Sequence, residues 1–387
     1  MRTVALVVAD SMGVGAMPDA AKYGDEGSDT LGHIAERHAL RIPNLAGLGL
    51  ASIRALANVG APTEGSGAYG KLATAGAGKD TIAGHWEIAG CTVQTPFTTY
   101  YEGFPAELMA EYAAATGEGW LGNVAASGTE IIQQLGDEHV RTKKPIIYTS
   151  ADSVFQVAAH EEVIPLGRLY ELCEQAFLVV ERWGVARVIA RPFVGSSGAY
   201  TRTENRRDIA LQPPRDTIMD RLQRAGIPTT SIGKIKSIYG DRGFSRAVKA
   251  GNNGTITQAI VDELAAKRGG LVFANLVDFD MLYGHRRDPE GYARAIEALD
   301  VRIPEILAQL GDDDLFLLCA DHGNDPTFRG SDHTREYVPV LAWRRGVGRV
   351  DLGTRASLAD VGATAAEWLG IAPVEGTSFA AMLGFRA

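Results

Sequence analysis

The sequence predicts an α/β protein: a mostly parallel sheet flanked by helices, with an inserted α+β cap. Three observations lead there. Residues 3–8, 271–277 and 315–320 are continuous apolar runs of strand length, as expected for strands buried on both faces of a parallel sheet. Residues 217–224, 257–267, 292–310 and 358–369 carry apolar side chains at helical spacing, so the carboxyl half reads strand, helix, strand, helix. Glycine supplies 45 of 387 residues, well above the roughly 7% average, and much of it follows apolar stretches where functional loops belong.

Taken in chain order, the first apolar run starts almost at Met1 and lacks signal-peptide anatomy, which points to a cytoplasmic protein. No stretch reaches the roughly 18 apolar residues of a membrane span. The texture changes at Thr95-Pro96-Phe97 to Phe104-Pro105 and changes back at Leu211-Gln212-Pro213-Pro214, two plausible hinges. Between them lie strand-like residues 145–148 and 187–189 and a helical pattern over 169–182, enough for a cap. The expected division is a core of residues 1–95 and 214–387 interrupted by a cap of residues 96–213. No internal repeat or low-complexity tract interrupts this order.

Composition narrows the function. Cys91, Cys173 and Cys319 are too few and too scattered for a disulfide scaffold or a cysteine-rich zinc site. With 38 basic and 47 acidic side chains, the net charge of -9 argues against sequence-independent nucleic-acid binding. An anionic small molecule would need a local positive field from metal ions or clustered Arg and Lys.

Ligands of open α/β sheets gather beyond the carboxyl ends of the strands. There the chain places Asp10, then Asp278 and Asp280, then Asp321-His322. His285 closes the motif begun by Asp278, and His333 follows in Gly330-Ser331-Asp332-His333. Imidazole with carboxylate is a ligand set for Mn²⁺ or Zn²⁺. Counting Asp10, there are six candidate ligands, three Asp and three His. Six exceed one tetrahedral ion and fit two ions roughly 3.5–4 Å apart, the clamp used for in-line phosphoryl transfer.

Such a site also needs a nucleophile. Gly76-Ala77-Gly78-Lys79-Asp80-Thr81 offers a threonine on a Gly-rich approach to a helix, where free N–H groups receive anions. Asp-Thr before a helix is also an ordinary N-cap pattern, and His85 and Trp86 read equally well as packing residues. Periodicity alone does not select Thr81 over another hydroxyl.

Over nearly its whole length the chain resembles the bacterial phosphopentomutase family of the alkaline phosphatase superfamily. The likeness runs through Asp10-Ser11-Met12-Gly13-Val14-Gly15, Gly78-Lys79-Asp80-Thr81 with Gly84-His85-Trp86-Glu87, and Tyr148-Thr149-Ser150-Ala151-Asp152-Ser153. It continues in Ala190-Arg191-Pro192-Phe193, in Asp278 through His285-Arg286-Arg287-Asp288, and in Asp321 to Pro326 followed by Asp332-His333-Thr334-Arg335-Glu336. The Asp-His-Gly and Gly-His elements are shared across the superfamily. The run ending His285-Arg286-Arg287-Asp288 is more specific to the mutases. Departures at Ile82-Ala83 and in residues 196–199 fall at variable places, and no ligand position is substituted.

The resemblance implies an alkaline-phosphatase-like core holding two Mn²⁺ ions, one on Asp280, His285 and His333 and one on Asp10, Asp321 and His322. Thr81 would bridge them and carry phosphate, primed by a sugar bisphosphate activator such as glucose 1,6-bisphosphate or ribose 1,5-bisphosphate. Ser150, Asp152, Arg187, Arg202 and Lys234 would grip sugar and distal phosphate, with Arg191 and Arg206 as weaker candidates. The implied reaction interconverts ribose 1-phosphate and ribose 5-phosphate, and the 2-deoxy pair, linking nucleoside catabolism to pentose phosphate metabolism. Partners are then small pentose phosphates, with neither nucleic acid nor membrane. Three carboxylates (about -3) against two divalent ions (about +4) leave the site attractive to a phosphate despite the acidic chain.

Two other functions compete. A metal-dependent phosphatase or phosphodiesterase of the same superfamily would use Thr81 with water as acceptor, and release of free phosphate would reveal it. A non-catalytic metal- and sugar-phosphate-binding protein would show no chelator-sensitive turnover.

Overall fold

The computed structural model describes residues 1–59, 65–150 and 153–385. They divide into two compact units, Met1–Thr95 with Gln212–Ala387, and Pro96–Leu211. In chain order the strands are β1 (Thr3–Ala9), β2 (Gly67–Leu72), β3 (Leu121–Ala125), β4 (Ile146–Thr149), β5 (Val154–His160), β6 (Arg187–Val194) and β7 (Thr201–Arg202). They continue with β8 (Arg207–Ala210), β9 (Thr229–Ile232), β10 (Arg246–Val248), β11 (Gly270–Leu276), β12 (Leu315–Cys319), β13 (Val338–Trp343) and β14 (Arg349–Arg355).

The first unit holds a sheet in the order β10-β9-β11-β1-β12-β13-β2-β14. All pairs are parallel except those made by β13, which runs against both β12 and β2. The fold is therefore the mostly parallel α/β arrangement expected from the apolar runs. At its centre Leu6 lies beside Phe273 on one strand and Leu317 on the other, all fully buried. Each such side chain contributes about 1.5–3 kcal/mol by leaving water. Register fixes the functional edge: Ala9 is opposite Leu276 and Val8 opposite Cys319, so the residues after β1, β11 and β12 emerge together.

Helices cover this sheet. Asn253–Ala265 follows an Asn252 cap that accepts from the Thr255 N–H at 2.9 Å. Pro289–Ala308 begins with proline in its first turn, behind an Asp288 cap bonded to the Gly291 N–H at 2.8 Å. Ala359–Trp368 is almost wholly buried. Among the described residues no helix is long and apolar enough to cross a membrane.

The second unit is a separate sheet, β3-β4-β5-β6-β7, with β8 also paired to β6. Helices Ala106–Thr116 and Leu166–Val180 bury Leu108, Tyr112, Leu169 and Leu172 with Phe155 and Val188 of this sheet. Gly128–Thr142 supplies Ile131 and Ile132 to a second cluster with Tyr148 and Phe193.

Candidate active site and metal centre

Three neighbouring strand ends deliver the carboxylates. Asp10 follows β1, Asp321 and His322 follow β12, and Asp280 sits in a π-helical turn, Phe279–Gly284, just after β11. Such turns recur at functional sites because the extra residue re-aims side chains. His285 caps that turn, and His333 comes from the segment before β13, tied down where Thr334 bridges Gly323.

These side chains converge. His285 Nε2 is 3.2 Å and His333 Nε2 3.3 Å from the two Asp280 oxygens, and the two imidazole nitrogens are 3.2 Å apart. His322 Nε2 is 3.3 Å from Asp321 and 3.5 Å from Asp10. Two tight groups of donor atoms result, Asp280 with His322 and His333, and Asp10 with Asp321 and His322. His322 thus reaches both groups, and its ring stacks on His333 at 3.9 Å.

Second partners aim the ligands. His322 Nδ1 donates to the Gly323 carbonyl at 3.1 Å and His285 Nδ1 to the Ser331 carbonyl at 2.7 Å, which turns each Nε2 lone pair inward. Asn324 donates to Asp280 at 2.8 Å, Asn275 to Asp10 at 3.0 Å, and the Ser11 N–H to Asp321 at 3.1 Å. Ser11 takes a left-handed φ of 71°, uncommon for a residue with a Cβ. Its hydroxyl lies 3.2 Å from that of Tyr292, and its carbonyl accepts from Asn324 N–H.

Electrostatics follow from burial. Burial, then the charges of Asp321 and Asp280, push the Asp10 carboxyl well above the ordinary range. At Asp280 burial also acts upward but is outweighed by His333 and His285, which hold it well below that range. At Asp321 burial is similarly outweighed by His322 and His85, and the carboxyl is lowered. Burial pushes His322 down to about 4, leaving a neutral imidazole with a free lone pair at neutral pH. Asp10 Oδ1 is buried without a hydrogen-bond partner among the described residues. Mixed oxygen and nitrogen donors, a neutral His322 imidazole, crowded carboxylates and an orphaned oxygen fit divalent cations. Cys91, Cys173 and Cys319 are free and buried, and none belongs to either donor group.

Thr81 opens the helix Thr81–Ile88. Asp80 is the N-cap, accepting from the Ala83 N–H at 3.0 Å, so the Thr81 hydroxyl is not consumed in capping and stands 3.1 Å from His322 Nε2. The helix is pressed onto the ligand strand: a Cβ on Gly84 would lie 2.4 Å from the Asp321 carbonyl oxygen. His85, which reads equally well as a packing residue in the sequence, has Nδ1 at 2.9 Å from both the Thr81 carbonyl and Asp321 Oδ2.

The approach to Thr81 is held by Arg335, unassigned in the sequence. Its buried guanidinium donates to the carbonyls of Thr74, Gly76 and Gly78 at 2.8–3.1 Å and pairs with Asp19. Glu336 accepts from the N–H groups of Gly15 and Thr30 and from the hydroxyls of Thr30 and Thr334. Only their place beside His333 hinted at these roles.

The remaining candidates divide between the two units. Lys234 belongs to the first, with Nζ 3.6 Å from Met281 sulfur and its charge felt at Asp10. Ser150, Arg187 and Arg202 belong to the second. Arg187 is 3.4 Å from Asp208, and Arg202 donates to the Tyr148 hydroxyl at 3.2 Å. Arg191, pushed down to about 10 by burial and then by Arg206, donates to Gln156 at 3.0 Å. Arg206 grips Asp208 with two nitrogens. Asp152 lies outside the described residues.

Residues 2–373 match the family model described as the Metalloenzyme superfamily. The chain is 50% identical over 383 residues to a phosphopentomutase of Caldanaerobacter subterraneus subsp. tengcongensis, covering 98% of this chain and 97% of that one. It is 52% identical over 376 residues to a phosphopentomutase of Symbiobacterium thermophilum, covering 96% and 95%. The fold is shared with PH0037 of Pyrococcus horikoshii, at TM-score 0.51 and 16% identity over 95% of this chain and 97% of that one. It is also shared with a Leishmania mexicana phosphoglycerate mutase, at TM-score 0.50 and 13% identity over 96% of each. Half-identity sustained from end to end, on an alkaline-phosphatase-like fold, means that the chain belongs to the phosphopentomutase family of isomerases.

Proposed function

We propose that this isomerase interconverts ribose 1-phosphate and ribose 5-phosphate, and the 2-deoxy pair, through phospho-Thr81 and a pentose 1,5-bisphosphate. The observation carrying this reading is the Thr81 hydroxyl, 3.1 Å from His322 Nε2 at the edge of both ligand groups. Asp280, His285 and His333 would hold one Mn²⁺, and Asp10, Asp321 and His322 the other. When bound, the ions neutralise phosphate charge and lower the proton affinity of a neighbouring hydroxyl.

The chain's own residues do the rest. Phospho-Thr81, first formed from a sugar bisphosphate activator, gives its phosphoryl group to the free hydroxyl of the pentose monophosphate. The P–Oγ1 bond breaks, the new P–O bond forms, and the hydroxyl proton ends on Thr81 Oγ1. The bisphosphate turns, or leaves and rebinds, and its other phosphate returns to Thr81. Arg187 and Arg202, with Ser150, Asp152 and Lys234, would grip the sugar and distal phosphate, because guanidinium pairs its N–H donors with phosphate oxygens. Residues 96–213 would act as a cap that excludes water, since water attacking phospho-Thr81 would yield phosphatase activity. We place the reaction between nucleoside catabolism and pentose phosphate metabolism, in the cytoplasm.

Thr81→Ala tests this directly. Turnover should vanish while metal content is retained, and intact mass should find one phosphate on the active enzyme and none on the variant. A variant that still isomerises pentose phosphate overturns the assignment. Free phosphate as the main product would favour a phosphatase, and turnover indifferent to chelator and Mn²⁺ would exclude metal dependence.

A further inference from the structure

In the second unit two buried histidines, His139 and His160, each pack their ring centroid 5.5 Å from that of Phe193. Every ring nitrogen has a backbone partner, and the partners fix where the protons are. His139 Nε2 accepts from the His160 N–H at 2.9 Å, so its proton is on Nδ1, 2.7 Å from the Lys144 carbonyl. His160 Nδ1 accepts from the Glu162 N–H at 3.2 Å, so its proton is on Nε2, 3.0 Å from the Gly195 carbonyl. Both are therefore neutral imidazoles with no lone pair to spare. A second proton on either ring would set two N–H donors against each other where water does not reach.

This corner moors a short strand. β7 is two residues long and pairs with β6 through Phe193 opposite Arg202 and Val194 opposite Thr201. The turn between them starts at Gly195, whose carbonyl receives the His160 proton, and ends at Tyr200, whose ring packs edge-on against His160 and Phe193. Burial holds His139 below its usual value, opposed by the Lys144 carbonyl and assisted by the His160 charge. Asp137 is engaged by Tyr200 and Ser197, and Glu161, which feels His160, is engaged by Thr203 and Asn205. Glu162 and Lys144 meet the rings through backbone groups. Among the described residues no carboxylate bonds either ring. A folded value below the unfolded one, about 6.5, stabilises the closed corner above that pH, and the benefit is lost as pH falls below it toward the folded value.

We propose that His139 and His160 are positioning residues for Arg202: while neutral they latch the β6–β7 turn, and acid releases it and weakens the grip on the substrate. The proposal rests on the reading of Arg202 as a substrate ligand.

Hydrogen exchange read by mass spectrometry on the Mn²⁺-loaded full chain, corrected for the intrinsic pH dependence of exchange, tests the latch. Protection of residues 193–202 should fall between about pH 7.5 and about pH 5.5, either side of the unfolded histidine value, while helix Leu166–Val180 keeps its protection. In His139→Gln, whose amide keeps a donor and an acceptor but does not titrate, protection should be equal at both pH values. Steady-state kinetics with ribose 5-phosphate tests the coupling. The substrate phosphate itself titrates at about pH 6, so the quantity read is the rise in KM of the parent divided by that of the variant. This ratio should reach about threefold, within the roughly tenfold per pH unit that one proton allows, while the corresponding ratio for kcat stays near one. Protection in the parent that does not change with pH overturns the latch, and that comparison needs no variant to fold. Protection lost equally in His139→Gln overturns His139 as the titrating group. Protection lost in the parent alone, with KM profiles that coincide, overturns the coupling and the reading of Arg202 while leaving that of Thr81 intact.

Discussion

His85 Nδ1 lies 2.9 Å from Asp321 Oδ2 and equally close to the Thr81 carbonyl, so one buried imidazole joins the proposed nucleophile's helix to a proposed metal ligand. Replacing it with a ring that lacks nitrogen keeps the volume and removes the donor. His85→Phe should weaken metal retention by about 10–100-fold, the usual effect of deleting a ligand's orienting partner. Metal content after dialysis against a graded chelator series measures this. Unchanged retention would show that Asp321 is held by its Ser11 bond alone.

Gly84→Ala should damage the same junction by volume. The added Cβ would meet the Asp321 carbonyl oxygen at 2.4 Å and Asp321 Cβ at 2.8 Å, and neither can swing aside as a flexible side chain would. Overpacking of this kind costs about 1–3 kcal/mol. Urea unfolding should show that loss, and turnover should fall more than the stability change accounts for, because Thr81 and Asp321 are pushed apart.

Arg335→Ala should strand Asp19 and three loop carbonyls at once. A loss of about 1–3 kcal/mol is expected, chiefly from buried carbonyls left without a donor, since Asp19 is 30% exposed and water can take over its charge. Arg335→Lys should recover part of the stability but little of kcat, since one ammonium cannot reproduce a planar fork reaching Thr74, Gly76 and Gly78. Equal recovery of both would argue that the loop needs only a charge.

Asp220 gives a pH-dependent contribution away from the site. Burial acts to raise its carboxyl, but the Arg242 guanidinium at 2.7 Å and the Thr217 N–H and hydroxyl outweigh it and hold the group below its usual value. A folded value below the unfolded one, about 3.9, stabilises the fold above that pH, and the benefit is lost as pH falls through the folded value. Asp220→Asn should therefore be less stable than the parent at pH 6, with the gap closing toward pH 3 in denaturant titrations. A gap independent of pH would sink this account.

The strands that build the site were legible because they are buried on both faces and so read as unbroken apolar runs; Thr3–Ala9, Gly270–Leu276 and Leu315–Cys319 fall within one residue of those runs at each end. Asp10 and Asp321 were legible as the first carboxylates beyond their strands, and Asp280 as the second beyond Leu276, behind Asp278. Helix starts were less so: Asn253–Ala265 begins four residues before its apolar pattern, because an asparagine cap, not hydrophobic spacing, sets its start. Arg335 and His85 were invisible as positioning groups, since their partners are backbone carbonyls and residues more than 200 positions away. Tertiary hydrogen bonds of that kind leave no local pattern.

The left-handed turn at Ser11 also bears on when the site comes into being. Strain of about 1–3 kcal/mol at such a residue persists only while its surroundings enforce it. Those surroundings are Asp321, Asn324 and Tyr292, all more than 280 residues further along the chain. A polypeptide still emerging from the ribosome therefore has its first aspartate but nothing to point it, and ordering of this ligand edge must wait until the chain has grown past Asn324.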